Sequence, residues 1–464
     1  MALTIHAELY WDAIKPGRYT WKLKELHNKY GPIIRSNPSE IHINDPDFFD
    51  KVYPSGSKRR VDKPYAEVFG TSTDVFAAVK HEDHRMYRNA VNNYFSRRAI
   101  LEIEPAIQRC IDELCTRFDS AIETGELISV GYAFAALTAD VINEYCFCGT
   151  YHAVLSPDFN KAAYTFYLRF TMLGNVTKSL PWVLKIVKAA PPSLIGWFFP
   201  YIGQGFRAQQ QYAEKVKEIQ DGTDRAWELS EHGSLIRGLI ESRLPEKEKT
   251  AERLKDWVQT FLTAGMFTVG HTLKCGTYHI LANEGIKDKL LRELDSVFPD
   301  LSRPPSLSEL EKLPYLTNVI NESLRMSYGV SRRLTRSFPD DILQYREWVI
   351  PPGTPVGMTS VHIHDNPDIF PQPFEFQPER WEGEEGRRRQ KYLVAFNKGT
   401  RVCLGLTLAW EELYKTFACI FRKYDMELVG AVRERDVDAS HDYFNAETSL
   451  KSPGLFVRVT SKRP

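Results

Sequence analysis

The sequence predicts an α+β chain, mainly helical with small segregated sheets, and three observations carry that expectation. Helical periodicity dominates from Asp83 to about Ala282, strand-like runs are confined to short stretches elsewhere, and no internal repeat links the two. In chain order, K-L-K-E-L-H-N-K-Y, stopped by Gly31 and Pro32, reads as the first helix of the folded body. P-I-I-R and E-I-H-I flank the turn S-N-P-S and predict a hairpin between residues 30 and 45. A helix from near Glu252 to about Ala282 is longer than most globular helices. Between residues 330 and 360, R-R-L-T-R and W-V-I-P-P-G-T-P-V predict a second sheet. Another helix to about Tyr424 and strands including L-F-V-R-V close the chain.

Composition narrows the functions available. Of 464 residues, 43% are apolar and 12% aromatic, enough for a large core and an apolar pocket. Lysine plus arginine balances aspartate plus glutamate at 60 each, so no global field points to nucleic acid. Seven cysteines without paired spacing fit a reducing compartment. Cys146 and Cys148 fit no common zinc frame, and Cys110, Cys115, Cys275 and Cys419 read as small apolar residues. Length alone would allow two or three domains, but the motifs below must meet at one site, so residues 1–464 are expected to form one domain. No run near the start approaches the roughly 20 apolar residues of a membrane span, and no signal peptide is read there. The apolar run P-P-S-L-I-G-W-F-F-P-Y-I-G, 191–203, reads either as a contact with a membrane surface or as an ordinary lid or core segment.

The run F-N-K-G-T-R-V-C-L-G, Phe396 to Gly405, suits presentation of one cysteinate, Cys403, to a haem iron. Gly399 and Gly405 permit backbone conformations and a close approach to a flat macrocycle. Phe396 would pack beside the sulfur, local amides would tune the thiolate, and Arg401 offers a fixed charge for a haem propionate. The helical stretch after Gly405 places Cys403 just before a helix N-terminus, which favours an anion.

On these residues the chain resembles the cytochrome P450 superfamily. Glu322 and Arg325 match its E-x-x-R and share one helical face. P-F-E-F-Q-P-E-R-W supplies Arg380 as the third member of the ion network that the resemblance places beneath the cysteine loop. His84 and Arg88 hold the spacing of the family's W-x-x-x-R, with histidine in place of tryptophan, and are implied to bond propionates. In L-T-A-G-M-F-T-V-G-H-T, Ala264, Gly265 and Thr268 match the oxygen-side helix, but Phe267 stands where the family has an acid. Thr268 is implied to act in proton delivery, or it bonds back to the Ala264 carbonyl and bends the helix. His271 and Lys274 are the nearest substitute donors, with His271 read as a packed residue.

The resemblance implies a haem b cofactor and a monooxygenase that inserts one oxygen atom into a lipophilic molecule. Phe69, Val75, Phe76, Phe166, Phe170, Phe261, Ala264, Val330 and the loop near Phe444 are expected as pocket walls. H-N-K-Y-G-P-I-I-R-S-N-P and S-Y-G-V-S-R-R-L are similar to filamentous-fungal members that tailor terpenoids, polyketides or alkaloids. No flavin, nicotinamide or iron–sulfur signature is present, so an NADPH-cytochrome P450 reductase is expected as partner. Lys391, Lys398, Arg401, Lys415, Arg422 and Lys423 are its expected docking face, and Arg387 to Arg389 read as solvated charge. A monomer is expected, with a parent anchored on the cytoplasmic face of the endoplasmic reticulum and the anchor absent from this chain. Phe267 keeps two alternatives open: an atypical outcome such as desaturation, cyclisation or redox-neutral rearrangement, and a haem-binding sensor without turnover.

Overall fold

The computed structural model describes residues 6–56, 59–65, 71, 73–149, 151–189, 191, 196–197 and 199–463. A helix α1 (Tyr19–Tyr30) ends at Gly31 and leads into the antiparallel pair β1 (Ile33–Asn37) and β2 (Glu40–Ile43), the predicted hairpin. Two short helical segments, His6–Leu9 and Tyr10–Ile14, precede α1. The helical body includes α2 (His81–Val91), α3 (Arg97–Thr124), α4 (Val130–Phe147), α5 (Lys161–Ser179), α6 (Pro181–Ala189) and α7 (Pro200–Gln220). Its ends follow local chemistry: the Ser96 hydroxyl accepts from the Ala99 amide at the start of α3, and Gly125, at φ 72°, stops that helix.

The 31-residue helix α8 (Ala251–Leu281) crosses the middle of this body and packs on α4, α7 and α9 (Pro314–Ser327). The close contact with α4 depends on small residues. A Cβ on Gly265 would lie 2.9 Å from Ile142, and one on Gly270 would lie 3.0 Å from the Ala135 amide. The apolar core runs through α3, α4, α8, α9 and α11 (Leu406–Lys423), the helix after the cysteine loop, which packs on α3.

The stretch from 330 to 360 departs from expectation. R-R-L-T-R forms no strand: it is extended chain with one isolated bridge, Arg336 to Val356. W-V-I-P-P-G-T-P-V divides between two sheets. Trp348–Ile350 pairs with Leu343–Tyr345, whereas Val356–Gly357 runs parallel to β2 and joins the first sheet. The arginine side chains explain this: Arg332, Arg333 and Arg336 are all buried and bond carboxylates, amides or carbonyls, so their backbone follows those partners rather than a ladder. Phe456–Lys462 pairs with Tyr424–Val429 as the C-terminal sheet. A five-residue helix, α10 (Ser360–His364), lies in the chain between Val356–Gly357 and α11.

Candidate functional site

One enclosed cavity joins the cysteine loop to the middle of α8. Ala264, Gly265 and Thr268 line it from α8, Phe396, Arg401, Cys403 and Gly405 from the loop, and His84 and Arg88 from α2. The Cys403 side chain opens onto this cavity. Its own amide donates to the Phe396 carbonyl at 3.0 Å, which folds the loop around the sulfur. Burial raises the thiol pKa, and the Gly405 amide and the Arg88 charge oppose that rise by favouring thiolate. Gly405 has an ordinary φ of −83°, and a Cβ there would meet nothing within 4 Å; what the position supplies is open space beside the sulfur. Gly399 does need a left-handed backbone, at φ 81°, where a Cβ would strike the Tyr53 and Pro54 carbonyls at 2.7 Å.

The electrostatics of the cavity are lopsided. Lys63, Arg88, Arg332, Arg336 and Arg401 all line it. Arg401 donates to the carbonyls of Ala78 at 2.6 Å and Val79 at 3.0 Å, while its buried Nε has no partner. Burial, then Arg336, pulls the Arg401 pKa down to about 9, and burial pulls Arg336 down to about 10. Burial together with Arg336 and Arg401 lowers Lys63 well below the usual lysine range. Burial, Arg401 and Arg88 push His84 down to about 2, so it stands neutral. Arg88 bonds the Val402 carbonyl at 2.7 Å and so ties α2 to the loop. Such a rim fits a flat cofactor carrying two carboxylates, whose charge would offset Lys63, Arg336 and Arg401, which form no ion pair among the described residues. Lys63 and Arg336 were not legible in the sequence, because a β-bridge and a loop bring them here.

Beneath the loop, Glu322 is fully buried and saturated. Its Oε1 accepts from Arg325 at 2.8 Å, Arg380 at 2.9 Å and the Gln377 amide at 3.0 Å, and its Oε2 accepts from Arg325 at 2.9 Å and Trp381 at 3.0 Å. His364 carries this network to the loop. Its Nδ1–H donates to the Arg325 carbonyl at 2.9 Å, and its Nε2 accepts from the Val394 amide at 3.0 Å. None of these residues lines the cavity except through Val394.

Several expected residues lie elsewhere. Phe267 is 1% exposed, faces away from the cavity and stacks on Tyr167 at 4.8 Å and Tyr164 at 5.5 Å. The following residue turns about 100°, which is why Thr268 reaches the cavity; its hydroxyl donates to the Ala264 carbonyl at 3.0 Å. His271 stacks on Phe267 and is buried with Lys274, and neither lines the cavity. Phe166 and Phe170 stack on each other at 5.9 Å and are not in the cavity wall, whereas Phe95, Ile142 and Tyr167 are. Phe69 lies outside the described residues, as does part of 191–203; Trp197 and Phe199 of that run are exposed. The expected basic docking face is largely absent: Arg401 turns to the cavity rim, Lys415 is buried against Glu104, and Arg422 is buried against the Phe298 carbonyl. Lys391, Lys398 and Lys423 pair with Asp47, Asp50 and Asp112.

A mainly helical body around a cavity that sets one thiol among several cations is the arrangement of a protein that can hold an anionic prosthetic group beside a cysteine. The chain belongs to the cytochrome P450 family: the family model named Cytochrome P450 matches residues 12–452. Among its relatives, Tryptophan 6-hydroxylase fscE of Fusarium equiseti is 39% identical over 99% of this chain and 91% of its own length. N-acetyltryptophan 6-hydroxylase ivoC of Emericella nidulans is 37% identical, with 99% and 91% covered. Cytochrome P450 monooxygenase MO6277 of Ascocoryne sarcoides is 37% identical, with 98% and 91% covered. The chain is therefore a P450 monooxygenase related to fungal secondary-metabolism enzymes, a family that uses haem and a reductase partner. Among the described residues, no helix is long and apolar enough to cross a membrane.

Proposed function

We propose that the chain hydroxylates an indole-bearing carboxylic acid, with Cys403 as the residue that would hold a haem through its thiolate and NADPH-cytochrome P450 reductase as electron donor. The observation that carries this is the single cavity that holds the Cys403 thiol, the cationic rim and an aromatic wall. Bound haem supplies the activation of dioxygen. Arg88 and the Gly405 amide favour the thiolate, and Lys63, Arg336 and Arg401 are the residues to hold propionates, beside neutral His84. Ala264 and Gly265 leave room for substrate, and the Thr268 hydroxyl, released from the Ala264 carbonyl, holds the proton that must move into the cavity.

Phe76, Phe95, Phe261, Phe444 and Tyr167 give the wall an aromatic surface suited to an indole. Arg332, 5.7 Å from the Phe444 ring, is the cation we assign to the substrate carboxylate. Glu412, the one acid among the described lining residues, is held well above the usual carboxylate range by burial and then Glu411. Two relatives are named for tryptophan and N-acetyltryptophan, which share the indole and the carboxylate and differ in amine charge. A wall with aromatic rings and a cation suits that shared part. This narrows the broader expectation of a terpenoid, polyketide or alkaloid substrate. Phe267 lies behind the helix, so it lends no support to an atypical reaction. Exposed Trp182, Ile186, Trp197 and Phe199 support a membrane-surface contact near the substrate entrance.

The first test is the reduced carbon monoxide difference spectrum beside Cys403→Ala: the red-shifted Soret band is expected only in the native protein. Titration with tryptophan, N-acetyltryptophan and indole then follows. Both acids are expected to bind about tenfold tighter than indole, a preference that Arg332→Leu removes. Indole binding as tightly as the acids would sink the substrate class and leave the haem-thiolate reading standing.

A further inference from the structure

Three histidines far apart in the chain meet away from the haem cavity. His27 lies in the last turn of α1, His42 in β2 and His362 in α10; they are buried at 5%, 0% and 3% exposure, and none lines the cavity. One ring nitrogen from each lies within 4.8 Å of the other two. The ring centroids are 5.0, 5.3 and 5.9 Å apart, with interplanar angles of 51°, 70° and 84°.

Hydrogen bonding settles which nitrogens hold protons. His27 Nδ1 faces the Gly31 carbonyl at 2.8 Å and must donate, which leaves Nε2 as a lone pair. That lone pair accepts from His42 Nδ1–H at 2.7 Å. His362 Nε2 donates to the Thr20 carbonyl at 2.9 Å, so its Nδ1 is a lone pair. His362 Nδ1 and His42 Nε2 are both buried without a partner. Two rings are thus oriented by backbone carbonyls in the way that ligating imidazoles usually are, and the lone pairs they turn inward have too few protons to share.

We propose that His27, His42 and His362 form a three-imidazole site for a divalent d-block cation of the zinc type. A metal about 2.0–2.1 Å from each nitrogen in a tetrahedral arrangement puts the ring centroids roughly 5–5.5 Å apart, close to the spacing already present. Occupancy requires that the His42 proton leave Nδ1 for Nε2, a buried nitrogen without an acceptor, a cost that the metal–nitrogen bonds must exceed, and that the close His27–His42 contact open slightly. Borderline nitrogen ligands select zinc, copper or nickel over calcium and magnesium. Each neighbouring cation is paired with an acid, which weakens its opposition to a dication: Arg333 pairs with Glu40 at 2.8 Å and Glu8 at 2.5 Å, Lys178 with Glu8 at 2.5 Å, and Lys24 with Asp365 at 3.2 Å. A small exogenous ligand takes the fourth position. The metal would pin α1, the first sheet and α10 together.

The test uses purified haem-loaded protein, stripped with a chelator, equilibrated with Zn(II) and passed over a sizing column, with zinc and iron then measured together. About one zinc per haem is expected in the native protein, falling to near zero in His42→Gln and in His362→Gln at unchanged haem content. Native protein with less than about 0.1 zinc per haem, or zinc retained in both variants, overturns the site. Should a variant fail to fold, the zinc-edge X-ray absorption of the native protein decides: three imidazoles support the site, and two or fewer overturn it.

Discussion

Two of the regions that bury basic side chains in this protein differ in what those side chains find there. Around Glu322, Arg325 and Arg380 meet a carboxylate whose oxygens are both taken, and their remaining donors reach carbonyls of Pro371, Pro373 and His364. Around the cavity, Lys63, Arg336 and Arg401 find carbonyls and aromatic faces but form no ion pair among the described residues. A saturated buried charge braces a fold; an unbalanced one prepares a binding site. The comparison breaks most readily at Glu322. Glu322→Gln leaves Arg325 and Arg380 buried without their counter-charge and is expected to cost about 3–5 kcal/mol, read as a drop in midpoint on denaturant unfolding. A loss under about 1 kcal/mol would mean that the network is no brace.

Arg401→Gln should behave in the opposite way. Removing an unbalanced buried cation is expected to leave haem-free stability unchanged or improved, while haem transfer to a competing globin becomes about tenfold faster, equivalent to roughly 1.4 kcal/mol of retention. Equal damage to both readouts would erase the distinction between the two regions. A smaller effect is expected at Thr268→Ala. The back-bond to Ala264 is local, so stability should change by less than about 1 kcal/mol, while coupling of NADPH to product falls several-fold. Unchanged coupling would remove Thr268 from proton delivery.

How much of this could be read in advance follows from the range of the contacts. The Cys403 loop and the Glu322–Arg325 pair are local in sequence, so spacing alone exposes them. The long helix and the hairpin were legible for the same reason, since each is set by its own periodicity and turn residues. Arg336, Lys63 and His364 act through partners brought from elsewhere by β-bridges and loops, and no spacing marks them. Phe267 was legible in position but not in direction: its neighbour faces the cavity, and it packs the back of α8 on Tyr167. Lys415 and Arg422 show the converse error, since charge in a sequence does not reveal burial. The three clustered histidines come from three separate elements and carry no motif.

His364 offers the finest test, because it joins the saturated network to the cysteine loop as a neutral ring. It is fully buried, and burial followed by the Arg325 charge pushes its pKa down to about 3. In the unfolded chain it titrates near 6.5, so between about 6.5 and 3 the unfolded state binds a proton that the folded state refuses. Its stabilising contribution is therefore complete above about pH 6.5 and is lost as pH falls, by up to about 1.4 kcal/mol per pH unit. His279, also pushed to about 3 by burial and then Arg433, works in the same direction. Glu411 and Glu447, raised by burial to about 8 and about 7, work in the other, so the native curve alone mixes signs. The difference between native protein and His364→Gln isolates one ring. Glutamine does not titrate, so the variant should be less stable at pH 7.5 and the gap should narrow steadily on acidification to pH 5. Denaturant unfolding at several pH values measures the gap, and a constant one would mean that His364 holds its proton in the folded state and cannot accept from Val394.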